Sequence, residues 1–209
     1  MDQFIFFLNK VMVPGLVTGS VYALGAIGVT LIFGILRFAH FAHGDMMTMG
    51  SYFAWVMATA LAAMGIVLPI PLGFVVLPVS MALTAVVALG LDWAFYAPLR
   101  RRGAKPVTLL IASIGVTLMI QGLVRLIFGS STRDFFVGNE EKVIYRIDLS
   151  ALGGTRPLVI SQPQIMMWIV TAIVVLALHY FLTRSRLGKG MRAMADHPDL
   201  AQVPGINTQ

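Results

Sequence analysis

The chain has no cysteine and very little charge. Of its 209 residues only 11% are Asp, Glu, Lys or Arg, with 9 acidic residues against 15 basic ones. Without cysteine there is no disulfide framework, no thiolate ligand and no thiolate nucleophile, so nothing argues for an oxidising compartment or a redox enzyme. Also missing is any Gly-x-x-x-x-Gly-Lys-Ser/Thr run, so the chain has no P-loop with which to hold a nucleotide. Charge is absent in whole blocks: no formal charge falls within residues 11–36 or within 46–91. Uncharged apolar runs of that length are membrane spans, because about 20 helical residues at roughly 1.5 Å each cross a hydrocarbon core of about 30 Å. With 58% hydrophobic residues the chain has too little polar surface to coat a soluble globule. The expected fold is an all-α, polytopic membrane helical bundle of about five spans, expected at residues 11–36, 44–65, 67–96, 106–128 and 163–183.

The cations that remain sit in short clusters between these spans. Arg100, Arg101, Arg102 and Lys105 lie between the third and fourth, and Arg184, Arg186, Lys189 and Arg192 follow the fifth. Such clusters mark the cytoplasmic face. The net charge of +6 is therefore read as topology, with no nucleic-acid partner. Counting from the two basic segments puts an external loop at 129–162 and a cytoplasmic region at 184–209, with residues 37–45 on the inner side and the N-terminus outside if 37–45 is a loop; if it is a re-entrant break, the N-terminus changes sides. The first residues lack the basic region and small-residue cleavage site of a secretory signal, so the first span is expected to stay.

Within the spans the small and polar residues are ordered. Gly15 and Gly19 share one stripe of the first helix, and Gly50, Ala54, Ala58 and Ala62 form a smooth ridge on the second, suited to close helix packing in lipid. Isolated Gly-x-x-x-Gly is common in spans, so this gives packing without identity. The methionines of the second span (Met46, Met47, Met49, Met57 and Met64) read as adaptable filler. Pro69, Pro71 and Pro78 predict an irregular start or a kink in the third span. On the fourth, Ser113, Thr117, Gln121 and Arg125 recur every four residues. Such a polar stripe should face protein or water and not lipid.

Residues 37–45 (Arg-Phe-Ala-His-Phe-Ala-His-Gly-Asp) interrupt the longest uncharged stretch. An ionised side chain at the bilayer centre costs roughly 2.5 to 3.5 kcal/mol or more, so this cluster should lie near an interface or line a polar cavity inside the protein. After the fifth span, residues 188–195 predict a short helix, Asp196 can cap the next turn, and Pro204 with Gly205 stop it. Two short helices at the membrane surface can seat in a groove of a soluble partner or rest on anionic lipid. Five spans and then no closing helix lead to the expectation that the sequence is an N-terminal portion of a longer protein.

Phe41, Ala42, His43, Gly44 and Asp45 after Gly34 and Ile35, Tyr96 with Pro98 and Arg100, Ile114 with Gly115, and Gly188 with Met191, Arg192, Ala193, Ala201, Gly205 and Asn207 occur in one order and spacing. Together they resemble the membrane permease of branched-chain amino-acid ABC importers, the LivH/LivM type, over nearly the whole chain. The resemblance implies a second similar permease, two cytoplasmic ATPase subunits that hydrolyse the ATP, an external solute-binding protein, and a place in the bacterial inner membrane. It implies no cofactor in this chain. It assigns Phe41, His43, Gly44 and Asp45 to pathway gating or helix positioning, and Gly188, Arg192, Ala193, Asp196 and Gly205 to ATPase coupling. The chain departs from the family pattern at His40, where Asn is usual, around Asp92, Trp93 and Ala97, and at Pro204; related permeases take urea or short amides.

Enzyme and metal-site readings are weaker on the residues. An intramembrane aspartyl protease needs two facing carboxylates sharing a proton, whereas Asp92 stands two turns before the basic cluster and reads as solvated or arginine-paired. A metal site from His40, His43 and Asp45 lacks an obvious fourth ligand. His179 reads as an interfacial polar residue. A secondary transporter or channel working without an ATPase fits the polar stripe and glycine-rich helices equally well.

Overall fold

The computed structural model describes residues 2–66, 68–135, 143–147 and 157–196. Among them, five helices are long and apolar enough to cross a membrane. We number the helices α1 (Asp2–Leu36), α2 (His43–Ala63), α3 (Leu72–Val75), α4 (Leu77–Arg101), α5 (Pro106–Phe128), α6 (Gln162–Arg184) and α7 (Arg186–Asp196). One antiparallel ribbon, β1 (Ile144–Ile147) and β2 (Leu158–Ser161), pairs Ile144 with Ser161 and Ile147 with Leu158. The chain divides into two compact units, Met1–Leu36 with Lys142–Gln209, and Arg37–Glu141.

In the first unit α1 packs along α6, and α7 folds back against both. The expected first span was 11–36. The helix instead begins at Asp2 and passes through a widened turn at Leu8–Met12. Asn9 in that turn serves the ribbon: its amide nitrogen donates to Pro157 O at 3.0 Å, and its Oδ1 accepts from Val159 N at 2.9 Å. A side-chain amide thus satisfies one donor and one acceptor along β2, which an edge strand otherwise leaves open. Ser161 and Gln164 then form a capping box that starts α6, Ser161 N donating to Gln164 Oε1 at 2.8 Å.

The turn from α6 to α7 depends on Gly188. Ser185 is extended and caps α7, accepting from Gly188 N at 2.8 Å through its hydroxyl. Gly188 itself is buried against the last turn of α6. A Cβ there would stand 2.6 Å from Leu182 Cα and 2.9 Å from the Phe181 carbonyl carbon, and closer still to Phe181 O. Only a residue without a side chain lets the two helices meet at this distance. Beyond it, Ala195 approaches Gly34 near the end of α1.

In the second unit α2 pairs closely with α4, and α5 packs against α2. The predicted small-residue ridge faces α3 and α4: Ala54 and Ala58 are buried with Leu72 of α3 and Val76 just before α4, and a Cβ at Gly50 would meet Thr84 Oγ1 of α4 at 2.8 Å. A second cluster joins Phe38, Ala42, Tyr96, Leu109, Val116 and Ile120, with Met46 and Met49 filling around it. Met57 fills around the first, so three of the five methionines act as the expected packing material.

Pro78 lies in the first turn of α4, so the third span starts late instead of kinking. Its far end differs from expectation. The helix runs on through Pro98 to Arg101, so the first arginines are helical and not in a loop. Pro98 cannot donate to the preceding turn, and its ring would crowd that turn's carbonyl. The chain widens one turn earlier, at Asp92–Tyr96, where Ala97 N–H donates to Asp92 O across five residues. Arg100 then reaches back to Asp92 with two bonds of 2.8 Å, so of the two readings open to that acid, solvated or arginine-paired, it takes the second. Gly103 (φ 68°) closes the helix, Gly103 N and Ala104 N donating to Arg100 O at 2.9 Å and Leu99 O at 3.1 Å.

Candidate functional site

Residues 37–42 separate α1 from α2, and Arg37 there holds a left-handed backbone (φ 57°) that side chains other than glycine rarely adopt. Phe38, His40 and Tyr96 pack with their rings tilted to one another and centroids 5.1 to 5.9 Å apart. Tyr96 is 3% exposed, and its hydroxyl, like His40 Nδ1, is buried without a hydrogen-bond partner among the described residues. Burial holds the His40 imidazole below its ordinary pKa, and nearby His43 adds to this.

The polar stripe of α5 faces this break. Ser113, fully buried, accepts from Phe41 N at 3.2 Å and donates to Leu110 O at 2.7 Å. One turn on, the Thr117 hydroxyl is buried and finds no hydrogen-bond partner among the described residues. Another turn on, Gln121 Nε2 donates to Asp45 Oδ1 at 3.1 Å. Along α5, Gln121 stands about 22 Å from Pro106 and about 10 Å from Phe128 at roughly 1.5 Å per residue. Of the two placements open to the break, an interface loop or the wall of a polar cavity, Asp45 takes the second. It is reached well within the length of a spanning helix, and the stripe faces protein as expected.

Asp45 opens into a cleft of about 460 Å³ between α2 and α5. Its polar wall comprises Asp45, Thr48, Gln121 and Arg125, with Gly129 and Ser130 at the end of α5; Tyr52, Ile120 and Val124 supply the apolar wall. Tyr52 stacks on Phe128 at 4.6 Å, Trp55 meets Phe128 edge-on at 6.4 Å, and Arg133 lies 5.0 Å over the Trp55 ring. That aromatic group fixes the wall on the side away from the α4–α5 turn.

The predicted pathway residues thus separate. Asp45 enters the cleft, while Phe41, His43 and Gly44 do not line it. Phe41 is tied by its backbone, His43 N bonds His40 O at 3.3 Å to start α2, and Gly44 O accepts from Thr48 Oγ1 at 3.1 Å. Thr48 and Tyr52 were missed. They lie three and seven residues after Asp45, one face of a helix, which is the signal that could have found them. Of the predicted coupling residues, Arg192, Ala193 and Asp196 are exposed on α7, Gly188 is buried in the α6–α7 turn, and Gly205 lies outside the described residues. The second tail helix and residues 136–142 and 148–156 of the loop also lie outside them.

Five apolar helices, with a polar stripe on one of them turned inward onto a broken helix start and a cleft, define a multi-pass membrane protein of the permease class. Residues 11–209 match the model of a family described as branched-chain amino acid transport system / permease component, and the chain belongs to that family. It is 33% identical over 99% of its length to the high-affinity branched-chain amino acid transport system permease protein LivH of Escherichia coli, and 34% identical over 94% to BraD, the protein of the same description from Pseudomonas aeruginosa. A probable LivH of Methanocaldococcus jannaschii is 26% identical over 96%. The chain spans 65%, 62% and 59% of these three relatives. No solved structure matches it.

Proposed function

We propose that this chain is a permease subunit of an ATP-driven importer that moves branched-chain amino acids, or related small amides or urea, across the bacterial inner membrane. The carrying observation is the inward polar stripe of α5, which meets the broken start of α2 at Asp45 and opens into a cleft. A spanning helix tolerates such a stripe where it lines a path through protein. Its relatives bear permease names, which supports the transport reading.

In this reading a second, similar permease completes the path, an external solute-binding protein delivers the solute to the 129–162 loop, and two cytoplasmic ATPase subunits bind and hydrolyse the ATP. This chain carries no cofactor and is not an enzyme. The segment 184–209 seats on the ATPase, with Arg192, Ala193 and Asp196 on the exposed side of α7 and Gly205 beyond it. Gly188 acts by holding α7 against α6, so that a pull on α7 reaches the spans as a rigid-body tilt.

The test is uptake by proteoliposomes holding the full-length assembly, with and without internal ATP, alongside co-purification of the ATPase. ATP-dependent uptake, and loss of the ATPase when residues 188–207 are scrambled, are the expected results. Uptake that needs no ATP, with unaltered partner content, would favour a secondary transporter or channel.

A further inference from the structure

The cleft beside Asp45 carries charge of both signs and an apolar wall. Asp45 comes from the first turn of α2 and Arg125 from the last turn of α5, and both line the same 460 Å³ space. Among the described residues neither is in an ion pair with the other or with any third group. The carboxylate is held from one side by Gln121, four residues before the arginine in the same stripe of α5. Arg125 therefore stands one helical turn, about 6 Å along the axis, beyond the group that fixes Asp45. The remaining wall is Tyr52, Ile120 and Val124.

Resting on the importer reading above, we propose that this cleft is a transit site for a zwitterionic α-amino acid with an apolar side chain. Arg125 takes the α-carboxylate through its planar fork, Asp45 takes the α-ammonium, and Tyr52, Ile120 and Val124 cover the side chain. A cation in the last turn of α5 also suits the helix dipole, but that alone calls for no carboxylate facing the same space. The volume falls within the range of small-molecule sites, and a few fixed polar groups on an apolar wall is their usual make-up. The charges discriminate by the bonds they add: Arg125 is exposed to solvent and Asp45 half-buried, so a neutral amide or urea can bond Asp45 and Gln121 yet forgoes the charge-assisted bonds that Arg125 gives a carboxylate. Of the solutes considered above, this chemistry selects amino acids over amides.

The test is equilibrium binding of radiolabelled leucine to the full-length permease assembly in detergent, without the solute-binding protein. The competitors are leucine, leucinamide (no carboxylate), 4-methylpentanoate (no ammonium) and acetamide. On the unmodified protein, leucinamide and 4-methylpentanoate should each compete about 10- to 100-fold more weakly than leucine, the worth of one charge-assisted hydrogen bond, and acetamide more weakly still. Arg125→Gln should weaken leucine by a similar factor and bring leucine and leucinamide level. Asp45→Asn should bring leucine and 4-methylpentanoate level. A merely structural role for either residue would weaken all ligands together and leave these ratios alone, which overturns the proposal. So would equal competition by leucine and leucinamide on the unmodified protein, or no leucine binding, and neither result depends on a variant folding. ATP-driven leucine uptake alongside unchanged ratios would sink this site and leave the importer standing; uptake without ATP would sink the importer separately.

Discussion

Replacing Gly188 by alanine sets two effects of opposite sign against each other. In an exposed helix interior the change favours folding by about 1 kcal/mol, because glycine has the greater backbone entropy to lose. At Gly188 the added methyl would lie 2.6 Å from Leu182 Cα and 2.9 Å from the Phe181 carbonyl carbon. These are backbone atoms of a regular helix, which cannot swing aside as a side-chain tip would. Overpacking of this kind costs about 1 to 3 kcal/mol, more when the obstacle is rigid. The clash should win, lifting α7 from α6 and loosening the Ser185 cap. Thermal unfolding in detergent should show a lower midpoint, and limited proteolysis should cut faster at Arg184 and Arg186. Gly122→Ala is the control, since nothing lies within 4 Å of a Cβ there, and it should be neutral or mildly stabilising. A Gly188→Ala protein with an unchanged midpoint and cleavage rate would refute the close-approach argument.

Gly50→Ala should destabilise by roughly 1 to 3 kcal/mol, since its methyl would meet Thr84 Oγ1 at 2.8 Å, and adding Thr84→Ala should recover most of the loss; thermal unfolding of the double variant decides it. The Arg100–Asp92 pair is bidentate but partly exposed, so a double-mutant cycle with Arg100→Gln and Asp92→Asn should return a coupling below about 1 kcal/mol. A much larger coupling would mean the pair is shielded from water. His40 stays neutral in the folded chain at pH values where the unfolded chain already binds a proton, because burial depresses its pKa below 6.5. Stability should therefore fall as pH drops below about 6.5, and His40→Asn should flatten that decline; a melting-temperature profile with the same slope would count against it.

Several features were legible because their physics is local. Apolar runs as long as a bilayer crossing set five spans, the four-residue spacing of Ala54 and Ala58 set a packing ridge, and the position of Asp92 two turns before Arg100 left it solvated or arginine-paired, all needing only helix geometry. The polar stripe on α5 could be read as facing inward, since lipid would not tolerate it. What it faces could not. Asp45 and Gln121 are joined across 76 residues, and no periodicity links the two.

The sequence by itself thus determined the number of spans, the inward polar stripe of α5, and the family, since these follow from hydropathy, helical period and the order of motifs. Only the tertiary structure decided that Asp45 lies deep along α5 and shares a cleft with Arg125. It also showed Gly188 acting through backbone contact and Pro98 absorbed within a helix. Each of these depends on which atoms meet across separate segments, and that is fixed by packing.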